Sequence, residues 1–275
     1  LFFCFMSKNK KADTRHLVHA ICGLNIVPVW NEPTVDSGLI TQLLFGETVL
    51  VIRKKNRQWF RVLTQSCQSE GWVQASQIEL IDEVKFEKYT GERALTMEIC
   101  HPVFNDETSK YIVMGSSLPR FDGLSLKMPD SKYIFNGQAI LEGSLEASPD
   151  LVTKIARRYL HTPELSGGRS PFGIDAGSFI QNTFRYFGIL LPRTPEQQSL
   201  YGDIVDFEEQ SVEGDVAFCM DADGTVIHAG ILLGDGKVIH PSGSVRIDRI
   251  DHFGIFNMDI RRYTHKLRFI RRLVC

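Results

Sequence analysis

Gly173-Ile174-Asp175-Ala176-Gly177-Ser178-Phe179 marks the place where a loop turns into a helix. Upstream, residues 162–173 are rich in Gly, Ser and Pro and read as irregular. Asp175 suits a helix start, because its carboxylate can accept from the unpaired N–H groups of the first turn. Ala176, Phe179, Ile180, Phe184 and Phe187 then recur at steps of three and four, a stripe that buries one helix face. Gly188 stands where a helix ends. A helix start also carries partial positive charge, which favours a thiolate over a thiol. Thiol chemistry needs such a seat, a histidine to take the proton, and a third polar group to orient that histidine.

Downstream the pattern becomes β. Val216–Met220, Val226–Leu233, Val238–His240 and Val245–Ile250 are predicted strands, with turns at 221–224 and 234–236. If Gly234-Asp235-Gly236 is the loop, Leu233 pairs with Lys237 and His240 with Gly230. His228 and His240 then share a sheet face as diagonal neighbours. A two-residue loop would put them on opposite faces, since one step of register flips every side chain. For a lone histidine an exposed or simply satisfied ring is the plainer reading, and it is the one adopted for His16, His19, His101, His161, His252 and His265.

Upstream, Ser148-Pro149 opens a helix expected to run through His161. Residues 82–142 are β-like, with Asn136-Gly137 after Tyr133-Ile134-Phe135 as a hairpin signal. Residues 17–81 show short strands punctuated by Gly, Pro and Asn, as in a small barrel. Helices followed by antiparallel strands make an α+β layout. The predicted units are a disordered segment at 1–16, a barrel at 17–81, a second barrel or β-rich unit at 82–142, and a domain at 143–275.

The 275 residues carry 31 basic and 33 acidic side chains, and no like-charge run suits nucleic acid. Lys8, Lys10 and Lys11 read as a frayed terminus. Six scattered cysteines with no Cys-x-x-Cys point to free thiols in a reducing compartment. No segment is long and apolar enough to span a bilayer. A cytoplasmic protein is expected, with Met6 a possible start; the alternative is export with a truncated signal peptide. No metal and no cofactor are expected.

Several stretches, in order, resemble the NlpC-type, papain-like cell-wall cysteine peptidases. They are residues 167–175 with their helix, Leu191-Pro192-Arg193, Gly214-Asp215, His228-Ala229-Gly230-Ile231 and Gly236-Lys237-Val238-Ile239-His240. Ile26-Val27-Pro28-Val29 and residues 42–47 resemble the SH3-like barrels of muropeptide-recycling members. The resemblance implies a papain-like fold behind one or two SH3-like barrels. It also implies hydrolysis between γ-D-glutamate and an L-diamino acid in peptidoglycan stem peptides. The family motif Gly-Ile-Asp-Cys-Ser-Gly-Phe places its nucleophile at Ala176, its general base at His228 and its orienting residue at His240. The family's Tyr-x-Trp-Gly-Gly is altered to Glu164-Leu165-Ser166-Gly167-Gly168. Asp175, Gly177 and Glu164 are the expected peptide-binding positions. In the family the barrels restrict substrates to those with a free N-terminus, and Glu32 and Glu47 are candidates to meet that amine.

The expected function is thus a silent γ-D-glutamyl-L-diamino acid endopeptidase scaffold that binds peptidoglycan-derived peptides. The alternatives are an active hydrolase with the nucleophile relocated to Ser178 or Cys219, an engineered Cys-to-Ala form, and a partner-binding scaffold. The oligomeric state is not encoded in any visible pattern.

Overall fold

The structure, a computed structural model, describes residues 18–91, 93–206 and 210–274. The predicted disordered segment 1–16, and Cys4, His16 and Cys275 with it, lie outside these residues. Seven short strands between Val18 and Ile81 form one antiparallel sheet, in the order third, second, sixth, fifth, fourth, first, seventh. Strict alternation explains it: Trp59–Thr64 buries every second residue. Val27, Val29, Leu43, Val49, Val62 and Val73 form its core.

Residues 82–142 are mostly strands, with one helix that the sequence reading did not place. Helix α1 (Glu83–Thr90) opens this stretch, capped by Asp82, which accepts from Lys85 N–H at 2.7 Å. Its weak apolar stripe, with Tyr89 alone buried, left no periodic signal to read. The strands that follow split into a four-stranded and a three-stranded sheet. The Asn136-Gly137 hairpin does not form. Lys132–Ile134 pairs with Ser125–Lys127 and touches Cys100–Phe104, whereas Ala139–Leu141 pairs with Arg93–Thr96 in the other sheet. The turn passes a chain between sheets instead of folding it back. The core here includes Ile21 and Ile81 of the first sheet and Phe45 from the turn after Leu39–Leu44. Gly46 marks the contact: its φ is +77°, and a Cβ there would lie 2.2 Å from the Ser117 carbonyl oxygen.

Helix α2 (Pro149–Arg157) starts as predicted, with Ser148 accepting from Leu151 N–H at 3.4 Å. It stops four residues short of His161, whose φ of 69° is left-handed. Helix α3 (Ala176–Arg185) is buried along its whole length. Its Phe179, Ile180 and Phe184 pack with Val152, Ile155 and Tyr159 against Val216, Phe218, Ala229, Ile231 and Ile239. Each such side chain contributes about 1.5–3 kcal/mol through burial. A short helix α4 (Pro195–Gln198), capped by Thr194, follows.

The strands from Val216 onward form a closed barrel. Val216–Met220, Val226–Gly234, Lys237–Ser242, Ser244–Asp251, Gly254–Asn257 and Arg262–Arg272 pair in turn, and the last also returns to the first. Two faces result. One packs on the helices; the other lines the barrel with Ala217, Cys219, Leu232, Val238, Ile250, Ile255 and Ile270. Among the described residues no helix is long and apolar enough to cross a membrane. Cys22, Cys67, Cys100 and Cys219 are all free thiols.

Candidate active site

The site begins at the start of α3. Asp175 caps the helix by accepting from Ser178 N–H at 2.9 Å. Its other oxygen accepts from Gly167 N–H at 2.9 Å, which ties the incoming loop to the helix. Arg193 closes a two-pronged ion pair on the same carboxylate. Four donors thus converge on Asp175, so its contribution is to fix the helix start and loop rather than to offer a free acceptor to a peptide. Ala176 follows, nearly buried, at the positive end of the helix.

Gly177 fits so closely that a Cβ would lie 2.3 Å from the Arg193 carbonyl oxygen. The backbone itself therefore demands glycine at this position. Glu164 accepts from Gly243 N–H at 2.7 Å, joining the altered loop to the barrel. Glu164, Asp175, Ala176, Gly177, Arg193 and His228 line a groove of about 570 Å³ whose far wall is Leu39 and Ile40 of the first sheet.

The two predicted histidines meet, by a route other than the expected one. The loop between their strands is two residues, Asp235 and Gly236, both with positive φ, and Gly234 pairs with Lys237. Taken alone, that would have put the rings on opposite faces. A bulge between Leu232 and Gly234 absorbs one residue and restores the register, so Leu232 pairs with Val238 and Ile231 with Ile239. Gly230 then sits against His240, where a Cβ would come within 2.9 Å of that residue's own. His228 Nε2 lies 2.9 Å from His240 Nδ1. His240 Nε2 lies 3.2 Å from Asp248 Oδ2, and Arg246 holds the other Asp248 oxygen at 3.0 Å. In the neutral pair Asp248 accepts from His240 Nε2–H, so His240 Nδ1 accepts from His228 Nε2–H. That leaves Nδ1 of His228 as its unprotonated nitrogen.

Burial holds the His228 imidazole well below its ordinary value, and neighbouring His265 and His240 add to this. Burial would raise the Asp248 carboxyl, but hydrogen bonds from His240 and Arg246 outweigh it and hold it below the usual range.

Sequence patterns passed over three participants. His265, given the plainer reading, stacks on His228 with ring centroids 4.0 Å apart. It comes from Arg262–Arg272, a strand beyond the last predicted one; the alternation of Tyr263, His265 and Leu267 was the available signal. Asp248 lies inside the predicted strand Val245–Ile250 and belongs to none of the motifs quoted for the site. Arg193 was quoted only as part of a motif. The amine-binding candidates do not reach the groove lining. Glu47 is buried between Arg169 and Arg185, at 2.7 and 2.9 Å, and Glu32 is exposed in a turn outside it.

The proposed replacement nucleophiles are badly placed. Ser178 is fully buried, on the opposite side of the helix from the groove lining. Cys219 pairs across the strands with His228, but it is sealed in the barrel core, and burial pushes its thiol up to about 12.

Residues 162–262 match the NlpC/P60 family, and residues 29–78 match the bacterial dipeptidyl-peptidase SH3 domain. Two relatives are gamma-D-glutamyl-L-lysine dipeptidyl-peptidases. That of Bacillus cereus is 27% identical over 231 residues, covering 74% of this chain and 67% of the relative. That of Bacillus subtilis is 24% identical over 229 residues, covering 74% and 73%. The crystal structure of an NlpC/P60 family protein from Bacillus cereus superposes with a TM-score of 0.79. At 21% identity it covers 94% of this chain and all of that one, which establishes a shared fold.

Proposed function

Because residues 162–262 form an NlpC/P60 domain behind a bacterial dipeptidyl-peptidase SH3 domain, we propose that the chain is a catalytically silent member of this peptidoglycan-hydrolase family. It binds cell-wall stem peptides bearing γ-D-glutamate linked to an L-diamino acid, the linkage in the names of its Bacillus relatives. One observation carries this reading: a methyl group, Ala176, occupies the helix start that faces a complete His228–His240–Asp248 relay.

The surroundings support it chemically. The positive end of α3 would stabilise a thiolate, and His228 keeps an unprotonated Nδ1. His240 and Asp248 fix the ring as a base needs. A methyl group has no lone pair to attack with and no proton to give. The groove, by contrast, is retained: Arg193 fixes its Asp175 wall and Leu39 and Ile40 close its far side. A relocated nucleophile would need Ser178 or Cys219 to leave a sealed core, and a cost of that kind argues against it.

Titration calorimetry with L-Ala-γ-D-Glu-diaminopimelate tests this directly. A saturable heat with no turnover is expected. Sustained heat proportional to protein concentration would mean hydrolysis and overturn the silent reading. Absence of any heat would remove this ligand and favour a partner-binding scaffold.

A further inference from the structure

We propose that His228, His240 and His265 form a binding site for a divalent transition-metal ion of the zinc type, set in the mouth of the barrel. This goes beyond the peptide-binding role and does not depend on it. The sequence patterns gave no hint of a metal, because the three ligands come from three strands separated by 12 and 25 residues.

Geometry carries the inference. One ring nitrogen from each histidine falls within 4.8 Å of the others. At zinc–nitrogen distances of about 2.0–2.1 Å, tetrahedral neighbours lie about 3.3 Å apart. The 2.9 Å contact between His228 and His240 therefore has to open slightly, and the wider contacts have to close. His228 and His240 are buried and His265 is half-buried, so the cluster is shielded yet reachable. Three neutral imidazoles with no thiolate make the donor set of a zinc site that keeps one position open. His228 lines the peptide groove, and His265 lines an adjoining hollow of about 690 Å³ that shares Ile227 with it.

The support behind the ligands also fits. Metal-bound histidines are oriented by a carboxylate on the far ring nitrogen. Asp248 does this for His240 at 3.2 Å, and Arg246 in turn anchors Asp248.

Ala176 gives the site a further logic. In the metal-free chain a shared proton joins His228 Nε2 to His240 Nδ1. A metal ion on those two nitrogens would displace that proton, and His228 would stay neutral only by carrying its single ring proton on Nδ1 instead. A cysteine peptidase needs Nδ1 empty to take the thiol proton, so metal binding and thiol chemistry would exclude each other at this ring. With Ala176 in place no such conflict exists.

The test uses the full chain, freed of metal by chelation, with Zn2+ alone as titrant and Co2+ as a visible probe. One Zn2+ per chain is expected, with intense d–d bands from four- or five-coordinate Co2+ and no thiolate charge-transfer band. His265→Phe keeps a ring for the stack on His228 but removes a ligand. It should weaken Zn2+ binding about 100-fold or more while the circular dichroism stays unchanged. Cys100→Ser, which removes the exposed thiol among the described residues, should leave binding intact. No stoichiometric Zn2+ binding would overturn the proposal. So would unchanged affinity in His265→Phe, or a Co2+ spectrum showing thiolate ligation. The spectrum decides the matter even if the variant fails to fold. None of these readouts involves the peptide or residue 176, so failure here leaves the peptide-binding reading untouched.

Discussion

Two buried polar clusters in this molecule are built on opposite plans. Where the first sheet meets the peptidase helices, Glu47 binds Arg169 through both oxygens and Arg185 through one. Arg185 reaches on to Glu142, which also holds Arg93. Burial alone would raise the Glu47 carboxyl, but the two guanidiniums outweigh it and hold it at about 2. Each charged group there touches an opposite charge, three guanidiniums sharing two carboxylates. At the barrel mouth, burial keeps His228 and His265 uncharged, and one end of the relay stays open to a groove. Complete pairing fixes one part of the molecule against another. Burial without charge instead keeps ring nitrogens available for proton or metal chemistry. A cluster of the first kind is weak evidence for function and one of the second kind is strong evidence.

The comparison can be broken at either cluster. The largest effect is expected at the histidine side. Ala176→Cys should raise hydrolysis of L-Ala-γ-D-Glu-L-Lys over the unmodified chain by about 10⁴-fold, a fraction of what nucleophile loss costs in a serine protease. Product release followed by chromatography measures it, and an unchanged rate would show that the altered loop at Glu164–Gly168 has disabled the site as well. At the charged cluster, Glu47→Ala strands the Arg169 guanidinium, 1% exposed, and leaves Arg185, 3% exposed, with Glu142 as its one carboxylate. Urea unfolding at pH 7 should show a loss of about 3–5 kcal/mol. A loss below about 1 kcal/mol would mean that the arginines find other partners, and that the cluster is less rigid than its geometry implies.

A smaller effect tests the backbone around the groove. Gly177→Ser, added to Ala176→Cys, restores the family sequence at that position but pushes a Cβ into the Arg193 carbonyl. It should cost about 1–3 kcal/mol in thermal or urea unfolding. A neutral result would mean that Arg193 moves aside and the groove is adaptable.

The smallest prediction concerns pH. Burial holds His265 at about 4, below its ordinary 6.5. Between those values the unfolded chain binds more protons, so this ring contributes stability above about pH 6.5 that is lost as the pH falls towards 4. The ring is partly exposed, so about 1–2 kcal/mol is at stake after screening. His265→Phe should therefore make the acid limb of the stability profile shallower by about that amount. An identical limb would show that His265 does not set the acid sensitivity and would leave it to His228 and to the depressed carboxyls of Glu47 and Asp248.

The parts of this picture that were legible in sequence are those governed by local periodicity. Helix α3 could be read because its apolar stripe and Asp175 cap lie within a few residues of each other. The facing of His228 and His240 was also legible, although the inferred loop was wrong: a bulge near Leu233 compensated for the shorter turn, and no sequence rule locates such a bulge. Tertiary choices were not legible. Asn136-Gly137 has ideal hairpin chemistry, yet its flanking strands join different sheets because Arg93–Thr96 competes for Ala139–Leu141. His265 and Asp248 acquire meaning only when the barrel closes and brings distant strands to one mouth.

That closure has a consequence for how the chain acquires its site. Arg262–Arg272 is a central strand: it lies between Asp203–Val205 and Val216–Met220 and also seals the barrel against Gly254–Asn257. Nothing made before it can do this. During synthesis the upstream sheets can condense while the barrel remains an open curl with two unpaired edges, the kind of intermediate that aggregates or recruits a chaperone. His265 arrives on this same strand, so the pocket at the barrel mouth is completed in the step that removes the last exposed edge. Until residue 262 is made, the barrel lacks its closing strand and the hollow at its mouth lacks Tyr263 and His265.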